Sequence, residues 1–370
     1  MKALALLLLF AVHTATAQVA FVEKGRASDL KNATDVIVVL ASEDTRTLQK
    51  LNRTGKEYAD AYQKMVNAYN LSLRIVFARN WTFTPMSFME ANTIDTLKLR
   101  GANEQTTFII ATSELSSRLS EAALQMLKRK SPIPDLDQFL VDNDDQGSLD
   151  IFALSQWAAY KTSRTDWEAK QAGKMKMDKK LGKTVQPGDY LRHRTLEFVG
   201  FFLSQHALPT RSDLAFGLHY LQADLAVAML NNRKLEVNKP VAVRGADMSK
   251  KTLLIGRDLV YFPNGKLALK EADIKAIYPH PFKIVGQTEI EKAVNDKSAE
   301  VAVMVPVTRW SATGYPELHI FYVVDVTDGF TVLTYADTGS GSNPMTANNF
   351  EKSAELKAKH FQELLANAEK

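Results

Sequence analysis

The densest run of hard oxygen donors in the sequence is "DNDDQGSLDIFA" at 142–153. Set in the register of a twelve-residue calcium loop, Asp142, Asp144 and Gln146 take positions one, three and five. Gly147 falls at the tight turn, Leu149 at the apolar position and Asp150 at position nine. Closely spaced oxygens around a glycine suit a hard cation, so calcium is the one cofactor this pattern implies. Two positions depart from the pattern: Gln146 replaces an acid or Asn, and Ala153 stands where a bidentate carboxylate belongs. The other reading of the segment is an acidic loop in which Ser148 caps a following helix.

Three further constellations could carry chemistry. His193 and Glu197 lie four residues apart, on one face of an expected helix, with His206 and His219 downstream. Such residues can build a metal site in a bundle, but an intrahelical His–Glu pair needs no metal. Asp337-Thr338-Gly339, followed by Ser340, resembles the tripeptide that carries the catalytic carboxylate of aspartic proteases. That chemistry needs two carboxylates sharing a proton. No second Asp-Thr/Ser-Gly is present, and "LLIGRDL" at 253–259, similar to a strand those enzymes carry after the motif, precedes it here. The segment therefore reads as a strand-to-helix connector. "LGKT" at 181–184 lacks the upstream glycine and strand of a phosphate loop. No Gly-x-Ser-x-Gly elbow, His-Glu-x-x-His helix or dinucleotide fingerprint occurs. A Ser–His–Asp set drawn from distant loops would leave no local signature.

Two aromatic segments, "ARNWTFTP" with Trp81 and Phe83 and "TRWSATGYP" with Trp310 and Tyr315, follow expected strand ends. Such positions hold ligands in α/β folds, so these four residues are the ligand-binding candidates. Their other role is as loop anchors packed on the core.

The elements that must position these groups fall into blocks. From 35 to 130 strand and helix alternate: Val36–Leu40 is a continuous apolar strand. Leu48, Leu51, Gly55, Tyr58, Tyr62, Met65 and Tyr69 form a helical stripe. Leu71–Ala78 and Thr106–Ala111 read as further strands, residues 86–99 as holding a short helix, and Leu115, Leu119, Ala122 and Met126 as another stripe. Residues 131–234 read as a helical region holding the acidic loop and a basic stretch, with helices expected at about 190–206 and 212–232. A linker at 235–250 follows. Residues 251–370 return to α/β, with a hairpin around Thr327-Asp328-Gly329 and a final helix. The expected fold is α/β: two strand-helix-strand units with mostly parallel strands, flanking a helical middle.

Residues 1–17 have the form of a signal peptide: Lys2, an apolar run from Ala3 to Val12, and Ala15-Thr16-Ala17 before Gln18. An N-terminal segment, 18–34, precedes the first unit. There is no cysteine, which excludes disulfides, thiolate metal sites and cysteine nucleophiles and favours a bacterial envelope or secreted setting. The net charge of +4 argues for neither nucleic acid nor a membrane surface as partner, and no segment of the mature chain is long and apolar enough to be integral to a membrane. The expectation is an exported, non-catalytic protein, periplasmic or secreted, that binds a ligand or an envelope protein. The alternatives are a secreted hydrolase with converging residues and a calcium-stabilised structural module.

Overall fold

The structure, a computed structural model, describes residues 20–22, 29–97, 101–112, 114–132, 135–141, 147–161, 198–229, 250–261, 269–310, 316–327, 332–335 and 356–368. The leader expected at 1–17 lies outside them. The strands are β1 Ala20–Val22, β2 Asp35–Leu40, β3 Met86–Glu90, β4 Thr107–Thr112, β5 Gly147–Ala153 and β6 Phe198–Ser204. They continue with β7 Thr252–Gly256, β8 Phe282–Val285, β9 Val301–Trp310, β10 Pro316–Asp325 and β11 Val332–Tyr335. The helices are α1 Thr45–Thr54, α2 Lys56–Asn80, α3 Ala91–Ile94, α4 Leu115–Lys128 and α5 Leu136–Val141. After them come α6 Arg211–Met229, α7 Arg257–Val260, α8 Glu271–Ile277, α9 Gln287–Asp296 and α10 Ala358–Ala368.

Among the described residues all eleven strands join one mixed sheet, whose main path runs β11-β10-β9-β6-β5-β4-β2-β3, with β1 on β6 and with β7 on β9 and β8. Parallel pairs occur at the β3 end, β2 with β3 and β4, and in the branch off β9, β7 with β8 and β9. The six other pairings are antiparallel, so the sheet is not mostly parallel. Strand residues alternate between its two faces. Val36, Val38 and Leu40 share a core with Val303, Val305, Tyr322 and Val324 at the far end of the chain. This face is roofed by α2, α4 and α6. On the other face Ile37, Ile109 and Phe152 form one cluster, and Ile255, Met304, Phe321 and Phe361 another. Because one core runs the length of one face, the two α/β units are not separate lobes with a cleft between them.

Four elements differ from the sequence reading. Leu71–Ala78 is no strand but the last two turns of α2, a helix of roughly 37 Å. Its stripe continues through Tyr62, Val66, Tyr69, Leu73 and Val76 in steps of 4, 3, 4 and 3. Within "LSLRIVFA" alternation and helical spacing coincide, and the helix wins because it extends one unbroken buried face. Residues 86–90 are the edge strand β3, with only the short α3 behind it. Expected helix, Phe198–Ser204 is instead β6, an apolar run buried between β5 and β1. Gly147–Ala153 is β5, so Ser148 opens no helix.

The joint between the two ends of the sheet is made on one edge of β9, the edge away from β10. Strand β7 runs parallel to β9, pairing from Thr252 opposite Val301 to Leu254 opposite Val303. Strand β6 arrives antiparallel and meets β9 only at Ser204 opposite Val307. The C-terminal ends of β6 and β7 thus face each other head-on, and Pro306, which has no backbone N–H to give a ladder, stands in the interval. Helix α6 roofs this joint and approaches β6 through Gly217, where a Cβ would lie 2.7 Å from Phe202 Cγ. Gly217→Ala is expected to cost about 1–3 kcal/mol in urea denaturation. Trimming the ring in a Gly217→Ala/Phe202→Leu double variant recovers part of the loss, a coupling that independent sites would not show.

Candidate functional site

Directly after β6 the chain turns through His206 to Thr210 and enters α6. The turn is fixed by a reciprocal cap: Asp213 N donates to Thr210 Oγ1 (3.2 Å) and Thr210 N to Asp213 Oδ2 (2.8 Å). The same carboxylate oxygen accepts from Ser204 Oγ (3.0 Å) and from His206 Nδ1 (2.7 Å). Ser204 Oγ in turn accepts from His206 N (3.0 Å). Strand end, imidazole and helix start are therefore locked around one carboxylate, and Asp213 and Ser204 are fully buried. Gly147 N donates to His206 O (2.9 Å), and a side chain at Gly147 would run into that carbonyl.

The second half comes from β7. Two residues past its end, Asp258 Oδ2 lies 2.5 Å from His206 Nε2, while Asp258 Oδ1 accepts from Gln287 Nε2 (2.9 Å). Gln287 opens α9, and its backbone N–H is capped by Asp137 Oδ1 of α5 (2.7 Å). His206 consequently bridges two carboxylates, one from each side of the joint. Burial pushes its imidazole down, but the charges of Asp213 and Asp258 and the hydrogen bonds to both outweigh burial, and the ring is held well above its ordinary value as the imidazolium. Burial pushes Asp258 up, yet the His206 charge and hydrogen bond, with Gln287, hold it below the usual carboxylate range. Asp137 is raised by burial, despite the Gln287 amide, and by the nearby negative charge of Asp258 and Asp135.

A second charged group flanks the first. Arg211, at the start of α6, is buried with its Nε 4.0 Å from Glu291 Oε2 of α9, an ion pair longer than a hydrogen bond. Burial raises Glu291, against the pull of Arg211. Tyr69 OH donates to Pro209 O (2.7 Å), so α2 holds the turn from above; burial and then the Glu291 and Asp213 charges push this phenol well up.

The chemistry open to this cluster is limited by the saturation of His206. A general base needs a free ring nitrogen, and both nitrogens of His206 already face carboxylates. Ser204 points its hydroxyl at Asp213, not at the imidazole, so the three residues do not form a nucleophilic relay. The imidazole stands between the carboxylates, so their donors do not converge, and among the described residues no group of three or more His, Asp or Glu is placed to hold a metal ion.

The sequence-derived candidates are dispersed. Trp81 is buried, donates Nε1 to Thr84 Oγ1 (3.1 Å) and packs on Phe83 at 5.8 Å, so this pair anchors the loop after α2. Trp310 ends β9, its side chain outside the description; Tyr315 lies outside the described residues. So do Asp142, Asp144 and Gln146. Asp150 lies in β5, fully buried, accepting from Ser148 Oγ (2.9 Å) and Tyr160 OH (3.1 Å). His193, Glu197 and Asp337 to Gly339 are outside the description. His206 and His219 do not meet: His219 stacks edge-on to Tyr220 within α6. Of the residues that do converge, His206 was read as part of a metal set, while Asp213 and Asp258 were missed. "TRSD" at 210–213, a Thr-x-x-Asp box before an apolar run, marks the start of α6 and could have singled out Asp213. Asp258 lies within "LLIGRDL", but nothing local signals that it meets His206, 52 residues away.

Removing the imidazole leaves two buried carboxylates facing each other. His206→Ala is expected to cost about 3–5 kcal/mol, the penalty for breaking a buried ion pair from one side. Urea denaturation near neutral pH measures it, and a loss below about 1 kcal/mol would mean that solvent already reaches the cluster.

No protein-family model, no curated protein and no solved structure matches this chain, so the functional reading rests on its own residues.

Proposed function

We propose that this chain is an exported, non-catalytic protein that binds a ligand or a partner protein in the bacterial envelope or outside the cell. The observation that carries the non-catalytic part is the saturation of His206: among the described residues, the imidazole best surrounded by carboxylates is spent as a charged bridge. Export is supported by the leader pattern at 1–17, and a bacterial or extracellular setting by the absence of cysteine. Among the described residues no helix is long and apolar enough to cross a membrane. The fold reading beneath this proposal is a pair of strand-helix-strand units built into one sheet. With Trp81 and Phe83 packed as anchors, the ligand-facing role falls to the segment that leaves β9, with Trp310 and Tyr315.

Three measurements test this reading. Sequencing of the exported protein is expected to start at Gln18; retention of residues 1–17 in a cytoplasmic product removes the premise. Photo-crosslinking in the native host is expected to yield a discrete adduct that Trp310→Ala and Tyr315→Ala weaken while melting stays within about 2 °C. A panel of peptide, ester, glycoside and phosphoester substrates is expected to show no turnover. Hydrolysis abolished by His206→Gln, with the fold retained, would establish the hydrolase reading instead. Calcium bound by 142–150 would raise the melting temperature at millimolar concentration, since a ligand of the native state must stabilise it. The proposed function needs no such rise.

A further inference from the structure

We propose that the Asp213–His206–Asp258 bridge is a pH-sensitive clasp, which holds the C-terminal ends of β6 and β7 together on the edge of β9 while His206 carries both ring protons and releases them when one proton leaves. The inference is independent of whether the chain binds a ligand. It rests first on the joint itself. Between Val303, the last β9 residue paired with β7, and Val307, the one paired with β6, neither strand has ladder pairing with β9. Side chains close the interval, and His206 is the group that touches both strand ends, through Asp213 at 2.7 Å and Asp258 at 2.5 Å.

The second support is the donor inventory. With both ring protons present, each nitrogen donates to a carboxylate. With one gone, a lone pair faces a carboxylate oxygen across a hydrogen-bond distance, and a buried anion loses its partner. Among the described residues, no further donor reaches the two oxygens that face the imidazole. Asp213 Oδ2 already takes Ser204 and Thr210, and Asp258 Oδ1 already takes Gln287. The other charged or titratable groups packed around the bridge are Asp137 on α5, Glu291 on α9, Tyr69 on α2, Arg211 on α6 and Arg257 on α7. Arg211 is aimed at Glu291, and Arg257 acts on Asp137.

The sign follows from linkage. The folded value of His206 lies above its unfolded value near 6.5, so its stabilisation is complete below that value and is lost as pH rises through the folded one. Asp258 is depressed, so its share is complete above 3.8 and is lost as pH falls through its folded value. The clasp is tightest between the two and opens on the alkaline side. Asp137 and Glu291 are raised carboxyls whose contributions also fall with rising pH, so they are separated by mutation.

The test is hydrogen exchange on the full mature chain from about pH 6 to about pH 10, normalised for base catalysis. Amides at 200–206 and 252–258 are expected to accelerate about tenfold before those of β2 and β4 respond. Asp258→Asn supplies an amide N–H that can donate to the neutral imidazole, so the bridge survives loss of the proton and the acceleration disappears. Asp137→Asn and Glu291→Gln leave it in place. Nitrogen NMR of labelled histidine reads the bridge directly: both His206 ring nitrogens are protonated at neutral pH. A neutral His206 tautomer at pH 7, loss of protection only across the whole sheet at once, or the same acceleration in Asp258→Asn as in the parent would overturn the proposal. The NMR and parent exchange arms decide it even if that variant does not fold.

Discussion

Everything around the joint of the sheet depends on one arrangement: a buried imidazolium held between two buried carboxylates from opposite sides of the gap. Burying any one of these groups alone would be costly, since each gives up its hydration. Held together they carry two negative charges and one positive, with Ser204, Thr210 and Gln287 donating to the carboxylates. The arrangement is satisfied only while β6, β7, α6 and α9 all end or begin where they do. Shifting any of them moves a donor away from a buried acceptor.

The surrounding backbone is shaped to permit this convergence. A Cβ on Gly256 would lie 2.5 Å from Asp258 Oδ1, so the carboxylate folds back over the strand end only because no side chain is there. Gly286 gives Asp137 the same access to the start of α9. Helix starts cluster at the joint as well. The leading N–H groups of α6 and α9 favour nearby negative charge, which lowers the cost of holding Asp213 and Asp137 there. The joint also lies at the C-terminal ends of β6, β7 and β8, where α/β proteins commonly place their sites. Here that position is filled by the protein's own side chains.

Much of the architecture was legible because strand and helix periods differ. The runs at 36–40, 106–111 and 301–307 and the stripes of α4, α6 and the first half of α2 were visible as patterns of apolar spacing, and the pairing of β10 with β11 from the turn residues between them. Errors occurred where a pattern fits two states. "LSLRIVFA" satisfies both periods, and "FVGFFL" is apolar throughout, so neither has a local preference that decides. The context decided: one continues a buried helical face, and the other fills a slot in the sheet. Trp81 and Phe83 illustrate a different gap. Aromatic residues beyond a helix look the same in sequence whether they face solvent or pack inward, and burial is what sets them apart.

By itself, the sequence determined the α/β class and the absence of thiol chemistry, because composition and apolar spacing set those. It also placed "TRSD" before an apolar run, which suffices to start α6. Only the tertiary structure decided that strands from both halves of the chain share one sheet, and that His206, Asp213 and Asp258 meet. Asp213 lies seven residues from His206 and Asp258 fifty-two, and each belongs to a different element. Charges separated along the chain interact strongly only when folding removes the water between them, and no local pattern records which distant pair will be brought together.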